Sequence, residues 1–189
     1  MNACITFAFV VCSCLLADAY IHQGEKKGVK NYAMVILPIA YYAVCLWRFG
    51  FSMAAVKGFL LLIVLLYASE SDIKARQASD VFPLLLLVIA MIDITAEQLP
   101  GRLAAMLAAG LPQLLVAMKM PGKWGGGDIK VSAAGAAVLG LRTGLYAIVA
   151  GVIFAVITTL TLRKIRRKKE NGIPMVPYFT VGFAILYFV

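Results

Sequence analysis

The sequence is a succession of long apolar runs separated by short loops that carry nearly all of its charge. Runs extend from about Ala3 to Ile21, Tyr32 to Trp47, Phe51 to Ser69, Asp80 to Ala96, Leu103 to Met118, Ile129 to Leu141, Leu145 to Leu162 and Pro174 to Val189. A helix crossing ~30 Å of hydrocarbon needs ~20 mainly apolar residues, and most of these runs come close to that length. Hydrophobic residues make up 62% of the chain and charged residues 14%, with a mean hydropathy of +0.91. A soluble domain has ~45–50% apolar and ~25% charged residues. The pattern predicts an all-α polytopic integral membrane protein with about eight transmembrane helices, the sixth short, forming a single membrane domain over residues 1–189. The stretch from Met1 to Tyr20 has no basic residue. It reads as a retained first helix and not as a cleaved leader, which needs a basic start.

Charge in the loops sets the expected orientation. The net charge is +9. Loops one, three, five and seven hold thirteen Lys and Arg, against Arg48, Arg102 and Arg142 in loops two, four and six. Basic loops face the cytoplasm, so the odd loops belong inside and both termini outside. If the segment after Asp128 did not cross, the loop from Arg163 to Lys169 would lie on the wrong side. This use of the basic residues, in loops beside anionic lipid, leaves no call for nucleic acid. Cys4, Cys12, Cys14 and Cys45 all lie within apolar runs, without a C-x-x-C pair, and His22 is isolated. No metal site, disulfide framework or cofactor is expected from them.

Against this background the acids stand out, because a charged side chain at the centre of a membrane helix costs at least ~2.5–3.5 kcal/mol. Gly125-Gly126-Gly127-Asp128-Ile129-Lys130 joins three glycines to an aspartate. Alone it could be a loop ending in a helix N-cap. Topology places Asp72 on the same side, at the end of the third run, with room in the 55 intervening residues for two crossings. Two adjacent carboxylates resist simultaneous ionisation and share a proton. One can then take a proton from water while the other donates to a scissile carbonyl, which is peptide hydrolysis without a metal. Gly125, Gly126 and Gly127 would admit an extended substrate close to the backbone. Asp18 near the inner end of the first run reads as a solvated helix end, and Asp93 near the outer end of the fourth as locally paired. Glu70 and Asp80 flank Asp72 as loop acids or caps that could also contact substrate. Lys130 either reaches for the surface or tunes Asp128.

These motifs resemble the aspartic prepilin leader peptidases. Gly125-Gly126-Gly127-Asp128-Ile129-Lys130 is similar to their Gly-x-Gly-Asp signature. The stretch Asp72-Ile73-Lys74-Ala75-Arg76-Gln77-Ala78-Ser79-Asp80 is similar to their first signature, with Ala78-Ser79 in place of its Ile-Pro pair. Gly172-Ile173-Pro174-Met175-Val176-Pro177-Tyr178 resembles their proline-containing entry to the last helix. The resemblance covers residues 51–189, which makes 51–189 a six-helix peptidase core behind two N-terminal helices in 1–50. It implies Asp72 and Asp128 as the catalytic pair. It also implies cleavage of a short basic leader from prepilin or pseudopilin precursors at the cytoplasmic face of the prokaryotic inner membrane. Only His22 to Lys30 occupy the place of the cysteine-rich insert associated with methylation, so the expectation is a short form without methyltransferase activity. Two rivals remain at this level: a proton- or cation-coupled transporter using Asp18, Asp93 and Asp128, and a presenilin-like intramembrane protease. The latter's Pro-Ala-Leu motif is missing from the sequence.

Overall fold

A computed structural model describes residues 33–75, 79–120, 125–166 and 174–189. Among these residues there are seven helices: α1 (Ala33–Phe49), α2 (Met53–Ala75), α3 (Val81–Ala90), α4 (Leu99–Lys119), α5 (Gly126–Leu139), α6 (Leu141–Arg166) and α7 (Val176–Leu186). No strand occurs among the described residues. Three helices are long and apolar enough to cross a membrane, Met53–Ala75, Leu99–Lys119 and Leu141–Thr161. The protein is therefore an all-α membrane protein. The first expected run and Asp18 lie outside the described residues.

The helix ends differ from the sequence expectation in physically informative ways. α2 continues through Glu70, Asp72 and Lys74, residues expected to open a polar loop, so Asp72 sits in its last turns. α3 stops at Ala90, and Asp93 lies beyond it in a turn with φ +56°, a conformation that Asp tolerates better than most residues. Pro100-Gly101-Arg102, expected as a turn, forms the first turn of α4, where a proline has no intrahelical donor to lose. Gly110 and Pro112 do not interrupt that helix. The break expected at Arg142-Thr143-Gly144 falls instead at Gly140, whose φ of +92° suits glycine, and α6 begins at once.

The chain forms two compact units, Met1–Ile63 and Val64–Val189. In the first, Cys45 and Ala55 are buried and the Tyr42 ring tilts against Phe59 at 5.3 Å between centroids. The second is built around α5. Every residue from Val131 to Val138 of this helix is buried, and α3, α4, α6 and α7 all pack against it. The helix can be surrounded in this way because its side chains are small. A Cβ on Gly135 would stand 2.7 Å from the Phe183 ring of α7, and one on Gly144 of α6 would stand 2.7 Å from the Ala136 backbone. From α4, Ala105 and Ala109 form a small-residue face toward Ala136, the spacing that allows close helix approach in membranes. The outward sides of α4 and α6 expose Leu103, Leu107, Leu111, Ile153 and Ile157, an apolar surface suited to lipid.

Polar contacts hold α5 along its length. Arg102 donates to the carbonyls of Ala137 and Val138, which lack acceptor duty at a helix end. Gln113 bonds the buried Ser132 hydroxyl at 2.8 Å. α6 and α7 meet at an equally tight point, where a Cβ on Gly182 would collide with the Ala147 carbonyl. Gly182→Ala is therefore expected to destabilise the fold by about 1–3 kcal/mol through overpacking, measured as a lower unfolding midpoint in detergent.

Candidate active site

Asp72 is buried near the end of α2. Its Oδ2 accepts a hydrogen bond from the Val176 backbone N–H at 3.2 Å, and the Met175 backbone adds a second. These are the first donors of α7, whose N-cap is Met175. An anion at a helix N-terminus meets unsatisfied N–H groups and the positive end of the helix dipole. The supply of such donors is small here. Pro177 has no N–H, and the N–H groups of Tyr178 and Phe179 already bond the Met175 carbonyl at 3.1 and 3.2 Å.

Asp128 lies in the first turn of α5, the short helix of 14 residues. The N-cap is Gly125, in extended conformation, so Asp128 is the third helical residue and not the cap. Its carboxylate reaches back to the Gly125 backbone, the reciprocal half of a capping box. Burial, then the neighbouring charge of Asp72, push the Asp128 carboxyl up from 3.8 to about 6, with the Gly125 hydrogen bond acting the other way. The structure thus brings the two aspartates within electrostatic reach of each other.

The three glycines are not equivalent. A Cβ on Gly125 would stand 2.7 Å from Asp128 Oδ2, so this position needs glycine because the carboxylate occupies the space. Among the described residues a Cβ on Gly126 would meet nothing within 4 Å, and Gly126 is exposed beside Asp128. The charged residues expected to meet substrate are engaged with one another. Lys130 Nζ contacts Asp80 Oδ1 at 2.7 Å on an exposed surface, and Glu70 pairs with Lys74 at 2.9 Å along α2. Asp93 carries the turn after α3. Sequence reasoning missed Met175 and Val176 as partners of Asp72, and the buried Ser69–Thr180 hydroxyl pair at 2.7 Å beside it. The prolines at 174 and 177 were the available signal, since they mark a helix start with few donors. Among the described residues no three His, Cys, Asp or Glu side chains are grouped to hold a metal ion.

The described residues thus form an all-helical membrane protein in which two carboxylates at helix ends lie within electrostatic reach of each other. The type IV leader peptidase family matches residues 59–160, more than half of the chain. The chain belongs to that family and is of the peptidase class, and the match lends nothing to a transporter. No curated protein and no solved structure matches it.

Two outcomes follow from the site geometry. Gly125→Ala is expected to displace the Asp128 carboxylate and, on the role proposed for Asp128 below, to cut peptidase activity by at least about tenfold. The check is a cleavage assay on folded, purified protein. Asp72→Asn is expected to lower the Asp128 value from about 6, while leaving it above the ordinary carboxylate range because burial is the larger cause. The sign for stability follows from the raised value. Asp128's contribution is complete below its unfolded value and is lost as pH rises through about 6. Asp72→Asn moves that loss to lower pH, which carbon NMR of labelled aspartate would record.

Proposed function

We propose that this protein is a membrane-embedded aspartic endopeptidase that removes the short basic leader from type IV prepilin-like precursors at the cytoplasmic membrane face. The observation that carries the reading is the electrostatic coupling of Asp128 to Asp72 in a chain of the type IV leader peptidase family. In the reaction, water lies between the two carboxyl groups. Asp72 takes a proton from it as its oxygen bonds to the scissile carbonyl carbon, and Asp128 gives its proton to the carbonyl oxygen. On collapse the C–N bond breaks and the C=O bond re-forms. The leaving nitrogen takes the proton from Asp72, and Asp128 regains its own. A carboxyl that holds its proton well above the ordinary range suits the donor role.

The open flank at Gly126 supports an extended leader junction running past Asp128, with the precursor's apolar segment beside the enzyme in lipid. Glu70 and Asp80 would reach the basic leader only by exchanging their present lysine partners. In this reading Asp72 and Asp128 lie at the cytoplasmic rim of the inner membrane, as loop charge implies. The 23 residues of α2 support that position, since at ~1.5 Å per residue they exceed the ~30 Å hydrocarbon thickness. Eight crossings, counting the run from about Ala3 to Ile21, and outer termini complete the proposed topology.

Asp72→Asn and Asp128→Asn, made separately, are each expected to reduce processing of a co-expressed prepilin by about a thousandfold. Full processing by either folded variant, followed by the mobility shift of the mature pilin, sinks the assignment.

A further inference from the structure

Asp72 is one of several polar groups on a single face of α2. Ser69, one turn earlier, is buried, and so is Thr180 of α7 opposite it. Their hydroxyl oxygens are 2.7 Å apart. Ser69 Oγ also lies 2.6 Å from the Leu65 carbonyl, and Thr180 Oγ1 lies 3.0 Å from the Val176 carbonyl and 3.2 Å from that of Leu65. Val176 is the residue whose N–H bonds Asp72. Two successive rungs therefore join α2 to α7: Ser69 to Thr180, and Asp72 to the start of α7.

We infer that Ser69 and Thr180 are positioning residues for the proposed peptidase reaction: their paired hydroxyls hold α7 in the register at which its first backbone N–H groups bond Asp72 and aim that carboxylate as the general base. The inference rests on the peptidase reading.

Burial alone does not require the pair. Each hydroxyl has one proton and could give it to a carbonyl of its own helix, Ser69 to Leu65 and Thr180 to Val176, which would satisfy the cost of burying it. The cross-helix bond adds direction. The close approach of Gly182 to Ala147 fixes α7 against α6, and the 2.7 Å hydroxyl contact fixes it against α2. Register matters here because α7 has so few donors to offer. With Pro177 lacking an N–H and the next two amides spent on Met175, the donors at 175 and 176 are those left for Asp72. A slide of one residue along α7 would bring the proline to Asp72 in place of Val176. The backbone bond from Val176 also fixes the direction in which the Asp72 carboxylate points. Among the described residues the charged groups around Asp72 are few. Asp128 faces it from α5, Glu70 on its own helix is paired with Lys74, and the first turn of α7, Val176 to Phe179, has no charged side chain.

The test measures kcat and KM for cleavage of a prepilin-type peptide, a basic leader joined to an apolar segment, by the full chain in lipid nanodiscs. Thr180→Val keeps the shape and removes the hydroxyl. It is expected to lower kcat by about tenfold with KM nearly unchanged, the signature of a contact that serves the transition state. Thr180→Ser restores the hydroxyl and is expected to recover kcat to within about threefold of the parent. Ser69→Ala removes the partner and is expected to lower kcat without restoring KM effects of its own, which keeps the inference testable if Thr180→Val does not fold. Wild-type kcat in folded Thr180→Val or in Ser69→Ala overturns the inference, as does a loss in Thr180→Val that serine does not repair. Asp72→Asn in the same assay separates the two levels: if it is inactive while Thr180→Val is normal, the clasp fails and the peptidase reading stands. If Asp72→Asn is active, the peptidase reading itself fails.

Discussion

Much of the site depends on how closely helices can approach α5. This helix has the volume of little more than its own backbone over residues 131–138, so four neighbours reach it at once. Glycine and alanine supply that closeness on both sides of each contact, at Gly135 against Phe183 and at Gly144 against Ala136. In a bilayer, association gains little from apolar transfer, and close van der Waals packing takes over as the driving force. The same packing sets Asp128 half-buried at the start of α5 in the second unit.

The second constraint is electrical. A buried carboxylate needs hydrogen-bond donors, and an apolar chain has few side chains to give. Here the backbone supplies them. Asp72 takes the spare amides of α7, and Asp128 takes that of Gly125. Each acid is thereby tied to the start of a helix, and the helix to the acid. This is an economical arrangement for a membrane enzyme, because main-chain donors need no additional polar residue in the hydrocarbon region.

Much of this was legible in the sequence, and the limits have physical causes. Apolar runs located every described helix, because each must present a nearly continuous hydrocarbon face. Helix ends were less legible because glycine and proline have several uses. Pro100 reads as a turn and serves as a helix start, while Gly144 reads as a turn and serves as a packing gap against Ala136. The sequence pairs Asp72 with Asp128 through charge topology and the glycine signature, and in the structure the charge of Asp72 reaches Asp128. The partners of Asp72 were not, since Val176 lies 104 residues away and contributes through its backbone, which no residue type announces. Lys130 and Asp80 were each visible as charged, but their mutual contact needed the fold.

Arg102 gives the central helix a property of its own. Every helix carries a partial positive charge at its start and a partial negative charge at its finish, and burying one surrounded by low-dielectric neighbours leaves both ends poorly screened. In α5 the start holds Asp128 and the finish receives the guanidinium of Arg102. The carbonyl end thus meets a charge of opposite sign, and the amide end does so when Asp128 is ionised, so the helix's interior position costs less than its backbone alone would demand. An acid at the head of such a helix can lose or gain a proton without leaving the opposite end uncompensated.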